Sequence, residues 1–220
     1  MAAKRAGKDV VCLAELWLPG ADARRAPCLT SAMYRTLPLE RFFLEIEEGP
    51  VVLIATRHLG VDNVMCLSWL MPLGFSRDDC DIAVMTGPWN KSFDALMGSR
   101  VCTINVPTES LMKQAIQAGT MSVTEGDKFS RLGLARGEAM KIDCPVIVGC
   151  ASYAAVKLVK YLRAHSILIL RPVEAAIDPK VHKERKFHAV GDGTFFLDGE
   201  RRNYRRIMKD KIPAHVARSR

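Results

Sequence analysis

Two short runs of strand-forming residues follow each other closely in the first third of the chain. The first run, Val51–Thr56, is rich in β-branched side chains, and the second, Asn63–Met71, begins after the glycine-containing turn His58–Asp62. Two such runs joined by a short turn predict a β-hairpin. Because a hairpin pairs its strands antiparallel, this segment constrains the chain towards an antiparallel sheet.

The second strand of this hairpin carries a distinctive face. Side chains alternate between the two faces of a strand, so one face is predicted to carry Asn63, Met65, Leu67 and Trp69. An amide and an indole at the two ends of an otherwise apolar face suggest a pocket for a flat ring with polar edges.

Strands dominate the rest of the chain. Further strands are predicted at Asp81–Gly87, Val101–Val106, Ile147–Val159 and His165–Ile177. A final hairpin is predicted at Phe195–Leu197, because Asp198-Gly199 is a dipeptide typical of type I′ turns.

The predicted helices are short and lie between strands. They span Leu39–Glu48, Asn90 or Ser92 to Met97, and Thr108–Gln117, and a polar connection is predicted over Thr124–Gly137. Gly98 and Gly119 stand where a glycine ends a helix. Strands and helices do not alternate regularly. The pattern therefore predicts a mostly β fold, an antiparallel Greek-key barrel with short inserted helices, and not a doubly wound sheet.

Composition places the chain among globular proteins of one main domain. Its 220 residues are 49% hydrophobic and 25% charged, and a domain of this size buries roughly 70% of its unfolded surface. No apolar run approaches the roughly 20 residues that span a bilayer, so no membrane partner is expected. The apolar run Val10–Leu18 is interrupted by Glu15 and has no small-residue cleavage site after it, which argues against a signal peptide.

The seven cysteines are scattered and form no CxxC pair. This spacing argues against a zinc ribbon, an iron–sulfur cluster and a thioredoxin-type centre. Cys66 and Cys102 lie in apolar strand patterns, as reduced packing residues do. We expect a cytoplasmic location and no metal site.

The net charge of +8 is concentrated at the C-terminal end. Residues 180–220 carry 12 basic and 5 acidic side chains, whereas residues 1–179 are nearly balanced. Residues 180–220 lack the interleaved aromatic residues of RNA-binding modules, which argues against nucleic acid as a partner. Two interpretations of this charge stay open: a solvated tail, and a local electrostatic field that attracts phosphorylated cofactors.

The positions of proline and glycine, together with the distribution of charge, predict three segments. Residues 1–33 lack periodicity and contain Pro19-Gly20 and Pro27, so they form an extension of uncertain order. Residues 34–200 form the domain, and residues 201–220 form a basic tail.

The chain contains no GxSxG, HExxH, P-loop or GxGxxG motif, which argues against the hydrolases, zinc proteases and nucleotide-binding folds that those motifs define.

Several segments together resemble the FMN-binding split-barrel flavoproteins, the flavin reductase and flavoredoxin family. In chain order they read LP-x-E, PVVLIAT, NVMCLSW, NKSF, VCTINVP, GDKFSRLGL and AHSILIL. The resemblance implies a split β-barrel that binds FMN without a P-loop. It also implies a homodimer and transfer of electrons from NADH or NADPH, through FMN, to free flavin or another acceptor. Two alternatives stay open: a flavoredoxin-like carrier reduced by a redox protein partner, and a split-barrel binding protein without enzyme activity.

The resemblance also implies which residues bind the cofactor. The implied set is Asn63, Ser68, Trp69, Asn90, Lys91, Ser92, Lys128, His165 and Phe196, with Phe195 competing for the last position. Asn63 would bond the pyrimidine edge of the flavin, and Trp69 would cover the ring or the ribityl chain. Ser92 would meet the phosphate at a helix N-terminus. Lys128 would supply a cation, and His165 would donate a hydrogen bond to reduced flavin in a catalytic role.

Each of these residues has a structural alternative. Asn63 would instead close the hairpin turn, Trp69 would be a core residue, and Ser92 would cap its helix. Lys128 lies in a polar turn and would instead be solvated, and His165 would be structural at the start of its strand.

Overall fold

A computed structural model gives the structure of residues 50–73, 80–122, 124, 126–200 and 202–211. The predicted helix Leu39–Glu48 and the extension 1–33 lie outside these described residues, as do residue 201 and residues 212–220 of the predicted tail.

Within the part of the chain that the structure describes, the main sheet contains seven strands, and every pairing between them is antiparallel. Its members are β1 (Val52–His58), β2 (Val61–Leu67), β3 (Leu70–Pro72), β4 (Ile82–Met85), β5 (Val101–Val106), β8 (Ser152–Leu162) and β9 (Ile167–Ile177). Their order across the sheet is β2-β1-β5-β8-β9-β4-β3. Two small hairpins accompany the sheet: β6 (Arg136–Glu138) with β7 (Pro145–Ile147), and β10 (Phe187–Ala189) with β11 (Phe195–Leu197).

The connection from β2 to β3 forces the main sheet to curl. These strands stand at opposite ends of the sheet order, yet only Ser68 and Trp69 separate them in the chain. A link of this length spans about 10 Å, so the two ends of the sheet lie side by side. Among the described strands no ladder joins β2 to β3, and the sheet is therefore a half-barrel that is split at this link.

This link also corrects one prediction. The run Asn63–Met71 is two strands, because the chain leaves β1 at Leu67 and then pairs with β4. The amide of Leu70 donates to the carbonyl of Ser68 at 3.0 Å, which makes a tight bend. The predicted hairpin itself is confirmed, with Thr56 opposite Asn63.

β1 is buried on both faces. Val52 and Ile54 pack on one side with Phe93, whereas Leu53 and Ala55 pack on the other side with residues of the helices described next. A strand covered on both faces reads as a continuous apolar run, which explains the sequence VVLIA.

Among the described residues, three short α-helices lie between the strands: α1 (Lys91–Ser99), α2 (Met112–Thr120) and α3 (Lys128–Leu132). A 3₁₀ turn, Glu109–Leu111, precedes α2. The prediction that Gly98 and Gly119 end helices is wrong, because both lie inside them. A Cβ at Gly98 would stand 2.4 Å from the ring of His58, and one at Gly119 would stand 3.1 Å from Cys66. Both glycines therefore permit close packing.

Three other boundaries differ from the predictions. The run Ile147–Val159 is divided between β7 and β8 at a turn where Gly149 has φ 92°. The connection Thr124–Gly137 contains α3 and the start of β6. The final hairpin exists, but its turn contains Gly191 and precedes β11, whereas Asp198 follows the hairpin.

The predicted fold class is confirmed as mostly β, with an antiparallel curled sheet and short inserted helices. No helix in the described part of the chain combines the length and the apolar composition needed to cross a bilayer.

Candidate cofactor-binding site

A cavity of about 260 Å³ lies where β2, the start of α1, the end of α2 and the start of α3 meet. Five of the nine residues predicted to bind the cofactor line it: Asn63, Asn90, Lys91, Ser92 and Lys128. Met65 and Cys66 of β2 and the segment 118–122 complete much of the wall. Residues from distant parts of the sequence therefore converge at one place.

Asn63 connects β2 to α1. The side chain is 5% exposed; its Nδ2 donates to Ser92 Oγ at 2.8 Å, and its Oδ1 accepts from the amide of Val64 at 2.9 Å. Asn63 thus fixes the hydroxyl of Ser92 at the cavity wall. Its part in closing the hairpin turn is limited to this local bond with Val64.

The N-terminus of α1 opens beside the cavity without a side-chain cap. Asn90 occupies the N-cap position in an extended conformation, but its Nδ2 donates to Thr86 Oγ1 at 3.1 Å instead of capping. Ser92 is the second helical residue and is 2% exposed. The helix-capping alternative for Ser92 is therefore wrong. The positive end of the helix dipole, the hydroxyl of Ser92 and the ammonium of Lys91 together favour an anion.

Lys128 is buried, whereas the sequence suggested an exposed turn. It is 4% exposed, and its Nζ donates to the carbonyls of Val64 at 2.9 Å and Ala118 at 3.0 Å. Asp127 caps α3 by accepting from the amide of Phe129 at 3.1 Å, which sets the direction in which Lys128 leaves the helix. Lys128 therefore joins β2, α2 and α3 while its charge lies at the cavity.

Ser68 and Trp69 do not line the cavity. Trp69 is 46% exposed, so it is not a core residue either, and its carbonyl accepts from the amide of Met85 at 2.9 Å. The face predicted from Asn63 to Trp69 ends at Leu67, because the bend at Ser68 interrupts the alternation of side chains.

His165 and Phe196 also lie outside the cavity lining. His165 is exposed in a 3₁₀ turn, Arg163–His165, and β9 begins only at Ile167, because Ser166 adopts a left-handed conformation with φ 53°. Phe196 is 53% exposed on β11. A contact of either residue with a cofactor stays a prediction.

Trp89 is a cavity residue that the sequence reasoning missed. It is 63% exposed and lies on the turn before α1. The signal was its position, because Pro88-Trp89 directly precedes the NKSF segment.

A network of ion pairs stands next to the cavity. Arg136 contacts Asp62 at 3.3 Å and also Asp127, while Arg57 contacts Asp62 at 2.7 Å. The hydrogen bond from Arg136, followed by that from Ser130, lowers the pKa of Asp127 to about 2. The network links β2 to the start of α3, and these two elements carry the cavity residues Asn63 and Lys128.

The only thiol in the described cavity wall belongs to Cys66, and burial raises its pKa to about 11. A protonated thiol is a weak nucleophile and a weak metal ligand. The described residues contain no group of three or more His, Cys, Asp or Glu side chains that could hold a metal ion.

The donors at the cavity fit the phosphate end of a flavin nucleotide. The described wall contains ammonium, hydroxyl and amide groups and no carboxylate. Small-molecule pockets usually measure about 300–1,000 Å³. The cavity of about 260 Å³ is therefore large enough for part of FMN, and the rest of the nucleotide would lie outside it.

Known proteins of the same fold include flavoproteins. The chain aligns with an FMN-binding domain of a flavin reductase-like enzyme from Shewanella baltica with a TM-score of 0.63 and 23% identity, covering 76% of this chain and 95% of that one. It aligns with flavoredoxin of Desulfovibrio vulgaris with a TM-score of 0.65 and 19% identity, covering 70% and 89%. These likenesses show the fold, which is the FMN-binding split barrel.

The model of the flavin reductase like domain family matches residues 47–195, more than half of the chain. The chain belongs to that family. An uncharacterized protein of Archaeoglobus fulgidus is 32% identical over 98 residues, which cover 44% of this chain and 54% of that protein. The chain therefore matches about half the length of this curated relative.

Proposed function

We propose that the protein is an FMN-binding oxidoreductase of the flavin reductase type. The observation that carries this proposal is a cavity at the uncapped N-terminus of α1, lined by Lys91 and Ser92, in a member of the flavin reductase like domain family. The phosphate of FMN would meet these two residues. Charge-assisted hydrogen bonds of this kind are about twice as strong as neutral ones.

The surrounding residues would hold this arrangement in place. Asn63 orients the hydroxyl of Ser92, and Asn90 keeps the turn before α1 attached to Thr86. Lys128 adds positive charge beside the phosphate region while it ties β2 to α2.

Bound FMN would supply the redox chemistry, accepting a hydride at the flavin. The protein then has to place donor and flavin about 3–3.5 Å apart and exclude water. The described cavity wall holds no carboxylate, and its thiol is protonated, which agrees with a protein that leaves the chemistry to its cofactor. The electron donor would be NADH or NADPH, and the acceptor would be free flavin or another small molecule.

A flavoredoxin-like electron carrier is the second candidate. The similarity to flavoredoxin of Desulfovibrio vulgaris favours it, as does the basic segment 202–211, whose side chains are mostly exposed. An acidic redox protein would then deliver the electrons in place of NAD(P)H. A binding protein without enzyme activity is the third.

A homodimer is part of the proposal. A mostly apolar groove of about 560 Å³ lies along the half-barrel, and it includes Val52, Ile82, Ile104, Tyr153 and Ile177. Ile177 is 61% exposed. Exposed apolar surface of this kind commonly marks an interface, and a second copy would cover it with the same patch.

Absorption spectroscopy of the purified protein tests the proposal. A yellow protein that binds one FMN per subunit, and whose flavin is bleached by anaerobic NADH or NADPH, is the expected result. Bleaching only by a reduced protein donor would favour the carrier. A colourless protein that takes up no FMN at micromolar concentration would overturn both flavoprotein candidates.

A further inference from the structure

The turn that carries Trp89 is held firmly against the sheet. The amide of Asn90 donates to the carbonyl of Gly87 at 2.9 Å, which closes a four-residue turn with Pro88 at its second position. Proline fixes the backbone at that position, and the side chain of Asn90 adds a second bond to Thr86. Trp89 therefore projects from a rigid turn.

Gly87 makes room for the indole of Trp89. A Cβ at Gly87 would stand 2.4 Å and 2.5 Å from two ring atoms of Trp89, so the indole lies directly across the Gly87 backbone. The φ of Gly87 is not in the left-handed region, and alanine can adopt that backbone. The glycine is therefore required for space and not for the turn.

The indole lies against the Gly87 backbone, yet most of Trp89 is uncovered. Trp89 keeps 63% of its surface exposed and is one of the residues that line the cavity, as Lys91 and Ser92 are. An exposed aromatic ring that is already immobilised can pack on a ligand with little loss of conformational entropy. Trp69, which the family resemblance indicated for this purpose, does not line the cavity.

We propose that Trp89, seated on Gly87, is the aromatic side chain that packs against the flavin nucleotide in this cavity. This inference rests on the proposed function, because it requires that a flavin binds there. Trp89 positions the nucleotide, and Gly87 positions Trp89.

A double-mutant cycle on FMN affinity tests the proposal. The dissociation constant is measured by flavin fluorescence for Trp89→Ala, Gly87→Ala and the double variant. We expect Trp89→Ala to weaken FMN binding about tenfold, as loss of one stacked ring does. Gly87→Ala displaces the indole from its position against the Gly87 backbone and should weaken FMN binding by a similar factor. The double variant should bind no more weakly than Trp89→Ala, because the two residues act as one unit.

Two further variants serve as controls. Trp89→Phe keeps an aromatic ring and should bind within about threefold of the wild type. Gly199→Ala adds a methyl group where nothing lies within 4 Å, outside the cavity, and should leave affinity unchanged. Quenching of tryptophan emission by FMN should also fall markedly in Trp89→Phe.

The outcomes separate this inference from the proposed function. Unchanged FMN affinity in Trp89→Ala, in a protein that binds FMN as wild type, would overturn the inference and leave the proposed function standing. Full additivity of the two alanine changes would also overturn it. A wild-type protein that binds no flavin would instead defeat the proposed function itself.

Discussion

The Nδ2 of Asn63 donates to the Oγ of Ser92 over 2.8 Å, and both side chains are at most 5% exposed. These residues are 29 positions apart, on β2 and α1. Because the hydroxyl oxygen of Ser92 accepts from Asn63, the hydroxyl hydrogen can be donated to a second group. A role for Asn63 in orienting Ser92 follows directly from this geometry.

Replacing Ser92 with alanine should weaken FMN binding by about one to two decades, because a hydrogen bond to a charged group is worth about 1.5–3 kcal/mol. Riboflavin, which lacks the phosphate, should be affected much less. Asn63→Ala should follow the same pattern through Ser92, and the double variant should be less than additive. Titration of the variants with both ligands measures this, and equal losses for FMN and riboflavin would contradict a phosphate contact.

Lys128→Met should lower the free energy of unfolding by about 3–6 kcal/mol. The change removes two hydrogen bonds from a buried ammonium to the carbonyls of Val64 and Ala118, and each bond to a charged group contributes about 1.5–3 kcal/mol. Urea denaturation of the apoprotein measures the loss. Lys91→Met, at an exposed position on the same cavity, is the matched control and should change stability little. Equal stability of the two variants would contradict a structural role for Lys128.

Asp127 should give stability a characteristic acid dependence. The hydrogen bond from Arg136 is the main cause of its pKa of about 2 in the folded state, against about 4 in an unfolded chain. The lowered pKa means that the stabilisation is complete above about pH 4 and is lost as the pH falls towards 2. Asp127→Asn keeps a residue that can cap α3 but loses the ion pair.

Thermal denaturation from pH 7 to pH 2 tests this behaviour. Wild type should exceed Asp127→Asn by no more than about 1 kcal/mol at neutral pH, because the pair is partly exposed. The difference should disappear near pH 2. A difference that stays constant over this range would show that the carboxylate charge is not its source.

The apolar groove should control association. Ile177→Asp places a charge at its most exposed large residue, and we expect the protein to become monomeric. Val159→Asp, at a 45% exposed position outside the groove, is the matched control and should leave the oligomeric state unchanged. Sedimentation velocity distinguishes the two. Two variants that stay dimeric would place the interface elsewhere.

The basic residues of segment 202–211, which we call the basic arm, should raise the rate at which anionic electron donors associate with the protein. Replacing Arg202, Arg206 and Lys209 with glutamine should lower the rate of flavin reduction at low salt, and more for NADPH than for NADH because of its extra phosphate. The effect should fade between about 0.1 M and 1 M salt, where the Debye length contracts from about 10 Å to about 3 Å. Stopped-flow reduction measures the rates. Unchanged rates at low salt would leave the arm without a role in steering.

The sequence predicted the hairpin and the class of fold because both depend on local patterns. Val51–Thr56 and the turn after it determine β1 and β2 without help from distant residues. The ordered family segments also identified Asn63, Lys91 and Ser92 as members of one site, and the structure brings them together.

The errors come from contacts between distant elements. Lys128 follows the polar pair Gly126-Asp127, so its sequence context suggests solvent, yet carbonyls at residues 64 and 118 surround its ammonium group. Gly98 and Gly119 satisfy the local rule for helix ends, but they serve packing against His58 and Cys66. Alternation along a strand predicts that Trp69 shares a face with Asn63, but the alternation holds only until β2 ends at Leu67.

The order of strands in the sheet has a consequence for synthesis on the ribosome. β4 pairs with β9, and β5 pairs with β8, across separations of about 85 and 50 residues along the chain. Until β9 has emerged, β3 and β4 have no place in the growing sheet, although they were made early. At a synthesis rate of about 5–20 residues per second, several seconds pass between the synthesis of β4 and that of β9, with which it pairs. We expect the nascent chain to gain protease resistance only after residue 177 has left the exit tunnel.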